Sequence, residues 1–382
     1  MCIRDRPYVD WVPAEYPDKV SVTQYNPQFS SNGVNIYTSK TERQTYLMDM
    51  QGNIVHTWNL GANDNYQWHF AKFYPDGDLL AIAIDEMVAR FDWDSNRKET
   101  TRIRAHHDFC VGDNGDIYIV ARKESVVFIS GWPVPIIEDY IGVSAQNGEL
   151  KKNIPFCHLV KNRFPRKRLL DIYRWIIRPR NLIRLLRNRL SGNFLLQANN
   201  VSECVFDVMH TNTVELLDRD IEGFCNKGNI LISVRDLDLI AVIDPEKENI
   251  VWSWGPGLLS RQHHPTLLDN GNVLIFDNGV KRGFSRIIEL DPLAKKIVWE
   301  YKHNQGKIFY THNRGSNQRL PNGNTLITEG DKGRVFEVTS DGEIVWEFYN
   351  PQIGPDKKKR AIIYRMMRIT EPENYSHLNM LY

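Results

Sequence analysis

His69, His107 and His263 each stand eight residues before a turn glycine, Gly77, Gly115 and Gly271, in three separate stretches of the chain. His210 precedes Gly228 across a longer loop and His312 precedes Gly323 by eleven residues, so five stretches bring an imidazole to a similar approach. A neutral imidazole is nucleophilic near pH 7 and exchanges protons there without a metal. Asn212, two residues after His210, adds an amide, and Arg235 adds a guanidinium at the end of the strand that follows. Arginine at such a place needs an anionic partner, either a ligand or Asp207, Asp236 or Asp238 of the protein. The set suits a small tetrahedral anion undergoing group transfer. An imidazole takes a sulfuryl or phosphoryl group and passes it on, while the remaining donors stabilise charge on the equatorial oxygens.

Separate histidines converge only if a repeat places them, and the chain carries one. An Asn-Gly or Asp-Gly turn introduces an apolar strand, a second strand follows, and a third has the form Ile-Val-x-x-aromatic. Three copies run from Gly228 to Trp254, Gly271 to Tyr301 and Gly323 to Phe348, and their Ile-Val-Trp tripeptides start at Ile250, Ile297 and Ile344, a spacing of 47 twice over. Weaker copies lie at Tyr46–Leu60, Tyr74–Asp94 and Gly112–Ile154, giving six units of about 40 to 50 residues. That content and period predict an all-β, six-bladed β-propeller, in which equivalent positions ring a central axis. A solenoid of hairpins is the competing architecture. The stretch Ala361–Ile369 is the spare strand expected to complete the first blade. His56 occupies the slot of Trp252, Trp299 and Trp346, which makes it a packing residue, and His158, His303 and His377 fall outside the repeat.

The rhythm breaks between blades three and four. Residues 156–200 place Leu169, Leu170, Tyr173, Ile176 and Ile177, then Leu182, Ile183, Leu186 and Leu190, at helical spacing, with Pro179 between the two groups. An inserted basic amphipathic helical hairpin is expected, serving as a lid or brace on the propeller, a contact with an anionic membrane surface through 161–190, or a site for a nucleic acid or partner helix. Lys161–Arg189 holds eleven Lys/Arg against Asp171 alone, yet the whole chain has 48 Lys/Arg against 47 Asp/Glu. Net charge therefore favours no nucleic-acid partner. The domain reading is an N-terminal segment 1–30, whose opening MCIRDRP fits nothing that follows and resembles translated adapter sequence, and a propeller over 31–382. Five cysteines show no CxxC or regular spacing, so no zinc site or disulfide framework is implied.

QHHPTLLDNGNVLIFDNG, MHTNTVELL with LISVRDLDLI, and SNQRLPNGNTLITEGDKGRVFEVTSDGEIVWEFYNP resemble the arylsulfate sulfotransferase family, over roughly Ala105 to Arg368 apart from the insertion. Members are six-bladed propellers that move a sulfuryl group from a phenolic sulfate to a phenolic acceptor without a nucleotide donor. The resemblance implies an exported, periplasmic enzyme with no cofactor and no metal, acting on a small-molecule sulfate ester and a hydroxyl acceptor, and leaves homo-oligomerisation open. It implies that His263 of Gln262-His263 is sulfated transiently, as the column also selects it over His264. The family's His-x-Asn maps to His210 and Asn212, its strand arginine to Arg235, and its earlier channel histidine to His107 rather than His106. His69 joins the column, and the sixth-blade loop adds His312 and Arg314, which bear on the acceptor pocket. Two rivals remain: a non-enzymatic ligand-binding or scaffolding propeller, and a metal-dependent propeller hydrolase using Asp108 or Asp207.

Overall fold

Alternating apolar strands between tight turns form antiparallel meanders, and the chain makes six of them. The computed structural model describes residues 10–61, 65–129, 132–160, 206–304 and 307–378, with Arg174 and Arg178. Blade 2 runs Trp68–Phe73, Leu79–Ala83, Met87–Phe91 and Arg97–Arg102. Blade 3 comprises Ala105–Val111, Ile117–Ile129, Trp132–Ser144 and Leu150–Pro155. Blade 4 starts with Thr211–Leu216, blade 5 with His263–Leu267 and blade 6 with Ser316–Arg319, and each continues outward through three more strands. The expected helical insertion lies outside the described residues, apart from the short helix Cys157–Val160 that leads into it.

Blade 1 takes its inner strand from the far end of the fold, as the spare strand predicts. Met366–Ile369 pairs antiparallel with Val34–Ser39, matching Val34 to Ile369 and Tyr37 to Met366. A second closure lies at the rim, where Ser21–Tyr25 adds a fifth strand outside Ile344–Tyr349 of blade 6. Gln318 of blade 6 grips the closing strand from the side: its amide donates to the Arg368 carbonyl and its carbonyl accepts from the Arg368 N–H, both at 2.8 Å. The Arg368 guanidinium is fully buried against the Glu337 carboxylate and donates to Asn35 and to the Ser31 carbonyl.

A four-stranded sheet is apolar on both faces here, so each blade must be covered twice. Six apolar clusters do this, each shared by two neighbouring blades, as in Leu274, Phe276 and Ile287 of blade 5 against Ile327, Phe336 and Val338 of blade 6. The Ile-Val-Trp tripeptides add a directional bond across the same joints. Trp252, Trp299 and Trp346 each donate the indole N–H to a backbone carbonyl of the next blade, at Pro292, Ser340 and Met50, all at 2.9 Å. His56 holds the same register and makes the same bond, Nε2 to the Trp93 carbonyl at 2.9 Å, while stacking on the Trp93 ring. It is an imidazole standing in for an indole.

Trp346 is fully buried and joins blade 6 to blade 1. Trp346→Phe keeps most of the apolar volume but leaves the Met50 carbonyl unpaired, which is expected to cost about 1–3 kcal/mol. Denaturant unfolding of both proteins measures this, and an unchanged midpoint would contradict the bond's contribution.

Candidate active site

Register fixes which residues meet at the axis. The outermost pair of each inner strand is Phe73 with Leu79, Val111 with Ile117, Leu216 with Ile230, Leu267 with Val273, Arg319 with Thr325, and Ile369 with Val34. Four residues before it stand His69, His107, Asn212, His263, Gly315 and Arg365, one from each blade. Three members of the expected histidine column are therefore in place. In blade 4 the column position belongs to Asn212, and His210 enters two residues earlier. In blade 6 it belongs to Gly315, where a Cβ would come within 2.5 Å of the Phe276 ring.

The strands loosen where they approach the axis. Pairing shifts by a bulge between Trp68 and Phe70, Ala105 and Phe109, Thr211 and Thr213, and His263 and Thr266. His107, His210 and His264 adopt left-handed backbone, with φ of 63°, 52° and 47°. Such backbone is costly for residues other than glycine, and bulges re-aim side chains.

His263 is buried, and its Nδ1 lies 2.7 Å from Asn278 Oδ1 and 3.1 Å from the Arg261 carbonyl. The Asn278 amide nitrogen donates to the Thr311 and Arg314 carbonyls at 2.9 and 2.6 Å, which turns its oxygen toward His263. Both neighbours of Nδ1 are acceptors, so Nδ1 carries the proton and Nε2 the lone pair. Nε2 is buried with no hydrogen-bond partner among the described residues. Burial first, and then the Arg235 charge, push the His263 pKa down to about 3, so the ring is neutral at physiological pH.

A second set runs behind His107. Its Nε2 lies 2.8 Å from His210 Nε2, its Nδ1 lies 3.3 Å from the Tyr364 hydroxyl, and His210 Nδ1 bonds the Asp207 carboxylate. Asp207 is delivered by blade 3, whose long central hairpin pairs Ile137 with it in parallel. Burial disfavours the Asp207 charge, but His210 overrides this and holds the carboxyl well below its usual range. His69 lies against the Tyr364 ring at 3.8 Å between centroids.

Cations surround the imidazoles, each tied to a carboxylate that makes its burial tolerable. Arg235 Nε donates to Asp236 at 3.0 Å, Arg314 pairs with Asp331, Arg365 with Asp108 at 3.0 Å, and Lys40 with Asp10 at 2.7 Å. After burial, the Arg235 charge is the next cause lowering the pKa of His210 and His263, and at His107 it adds to the larger effect of the neighbouring imidazoles.

The other expected residues brace the ring. Gln262 is buried and donates to Ser233 and to the Leu239 carbonyl, while Asn212 donates to the Gln262 carbonyl at 2.9 Å. His264 bonds the Asn317 carbonyl through Nδ1 at 2.9 Å, joining blades 5 and 6, and His106 Nε2 lies 3.3 Å from Asp139. His312 is exposed and turned toward Asn313, apart from the buried imidazoles. Sequence reasoning missed Asn278, Tyr364, Arg365 and Lys40. Asn278 was visible in the Phe-Asp-Asn-Gly end of the blade 5 strand.

Burial lowers the pKa of His69, His107, His210, His263 and His264. Each binds fewer protons folded than unfolded below its unfolded value of about 6.5, so each subtracts up to about 1.4 kcal/mol per pH unit as pH falls through that range. Glu215, raised by burial to about 8, works in the opposite sense, being favoured by acid. Stability is expected to fall on going from pH 7 to pH 5, and Glu215→Gln to steepen the fall. Denaturation midpoints across that interval check both, and a flat profile would refute them.

Comparison with known proteins bears on the whole chain. No curated protein matches it. Among solved structures, a protein of unknown function from Bacteroides caccae superposes with a TM-score of 0.55 at 12% identity, covering 88% of this chain and 98% of that one. A streptogramin B lyase structure gives 0.50 at 11% identity, covering 95% and 98%. At these identities the likeness shows the propeller fold alone. Family-level matches go further: the arylsulfotransferase (ASST) family is recognised over residues 17–258 and again over 184–351. Together these spans contain all six ring strands but the closing one, and the chain belongs to the arylsulfotransferase (ASST) family.

Proposed function

We propose that the protein transfers a sulfuryl group from an aryl sulfate to a phenolic or other hydroxyl acceptor through a sulfohistidine at His263, independently of the nucleotide donor PAPS. The single observation that carries this reading is the His263 ring itself: Nδ1–H locked by Asn278, Nε2 bare, buried and unprotonated. In the first half-reaction the Nε2 lone pair forms a bond to sulfur while the bond from sulfur to the aryl oxygen breaks and the phenolate departs. In the second, the acceptor oxygen attacks sulfur and the N–S bond breaks, restoring the imidazole. Arg235 would meet the charge on the equatorial oxygens, a contribution of about 3 kcal/mol on the usual scale for such donors. His107 and His210 serve proton transfer, and His69 and Arg314 line the anion's side of the channel. His264 and Asn212 act by positioning, through their bonds to the Asn317 and Gln262 carbonyls, and His106 stands 3.3 Å from the Asp139 carboxylate. His312 contributes at the rim.

The family resemblance further supports an exported, periplasmic enzyme. Peripheral membrane contact through 161–190 is a separate proposal, checked by co-sedimentation with anionic vesicles.

Incubation with an aryl sulfate should release phenol and leave a sulfuryl adduct on His263, mapped by peptide mass spectrometry. His263→Ala should abolish the adduct and lower turnover by about 1,000-fold or more. If no donor gives an adduct and His263→Ala matches wild type, the chain is a ligand-binding propeller instead.

A further inference from the structure

Hydrogen bonds behind His107 form one continuous chain, from the Asp207 carboxylate through His210 and His107 to the Tyr364 hydroxyl. Its polarity follows from its end. An ionised carboxylate only accepts, so His210 Nδ1 carries a proton and, in the neutral ring, His210 Nε2 is an acceptor. The nitrogen 2.8 Å away, His107 Nε2, must then be the donor. This leaves His107 Nδ1 to accept from Tyr364, whose oxygen lies 3.3 Å away. One tautomer set therefore satisfies every link. Both His107 nitrogens are spent inside the chain, and the Tyr364 hydroxyl stands at its end. Tyr364 directly precedes Arg365, the blade 1 member of the axial ring, and its own ring lies against His69.

We propose that Asp207, His210, His107 and Tyr364 are a proton relay for sulfuryl transfer, with the Tyr364 hydroxyl as the group that meets the substrate oxygen. This rests on the sulfotransferase reading above. Before the first half-reaction the relay takes up one proton from solvent, which sits on His210 as an imidazolium against Asp207, and His107 then carries its proton on Nδ1, facing the Tyr364 oxygen. As the bond from sulfur to the aryl oxygen breaks, Tyr364 gives its proton to the departing phenolate. It recovers one from His107 Nδ1, and His210 Nε2–H refills His107 Nε2. In the second half-reaction the acceptor hydroxyl gives its proton to Tyr364 while its oxygen attacks sulfur, and each proton steps back. Over the full cycle no proton is gained or lost. Tyr364 touches substrate and is catalytic, while Asp207 is a positioning residue that fixes the His210 tautomer and stabilises its charged form.

A relay matters most when the departing oxygen is basic, so the test is a series of aryl sulfates from 4-nitrophenyl to unsubstituted phenyl. Initial rates and His263 adduct formation are followed for wild type, Asp207→Asn and Tyr364→Phe. Tyr364→Phe retains the ring against His69, and both variants keep the residue's size. With 4-nitrophenyl sulfate, whose phenolate departs with the least need of a proton, both variants are expected to show their smallest loss of adduct formation. With phenyl sulfate they should lose about 100-fold or more, the usual size of general acid catalysis. Equal loss across the series, or no loss with phenyl sulfate, would overturn the relay while leaving the sulfohistidine intact. Absence of any adduct in wild type would overturn both.

Discussion

Pairing of Met366–Ile369 with Val34–Tyr37 joins the last inner strand to the first blade, and every interface around the ring inherits its geometry from that closure. Each blade is apolar on both faces, so an open row of six would leave two faces wet. Closing the row covers all twelve faces with six shared clusters, and it also defines an axis on which one residue per blade must fall. The buried Arg368–Glu337 pair and the two Gln318 bonds stand on the closing strand itself, where a slip of register would expose an unpaired charge.

The axial site separates two kinds of imidazole by what stands behind them. An amide oxygen, Asn278, backs His263, fixing its tautomer without adding a negative charge that would favour protonation. A carboxylate, Asp207, backs His210, and its charge opposes the effect of burial and Arg235 on that ring. One ring is thereby kept as a neutral lone-pair donor, and on the other the pull of burial toward the neutral form is partly offset. The same division of labour appears among the cations, where each guanidinium's carboxylate partner limits the cost of its burial.

Much of this was legible in the chain. The spacing of Ile-Val-Trp exposed the blades, the turn-glycine ruler found His69, His107 and His263, and the unpaired Ala361–Ile369 stretch announced the closure. Where the ruler failed, it failed for a local reason. In blade 4 an extra turn bridged by Ile221 and Cys225 lengthens the path to Gly228, so His210 looked equivalent when Asn212 holds the ring position. His312 lies eleven residues from its glycine, and the position eight residues back is Gly315. Tyr364 and Arg365 were out of reach, because the closing strand is followed by no hairpin glycine from which to count. Asp207 gains its place from pairing with Ile137 of another blade, a contact with no signature in nearby sequence.

Tyr364 and Arg365 also tie the site to the order of synthesis. Translation delivers His263 and its Asn278 support while blade 1 still lacks its inner strand, and a ribosome must extend the chain to Ile369 before the ring can shut. Until then the imidazoles sit in an unsealed, wet arc, without the burial that lowers their pKa. The buried surroundings of His263 thus arrive together with the completed fold.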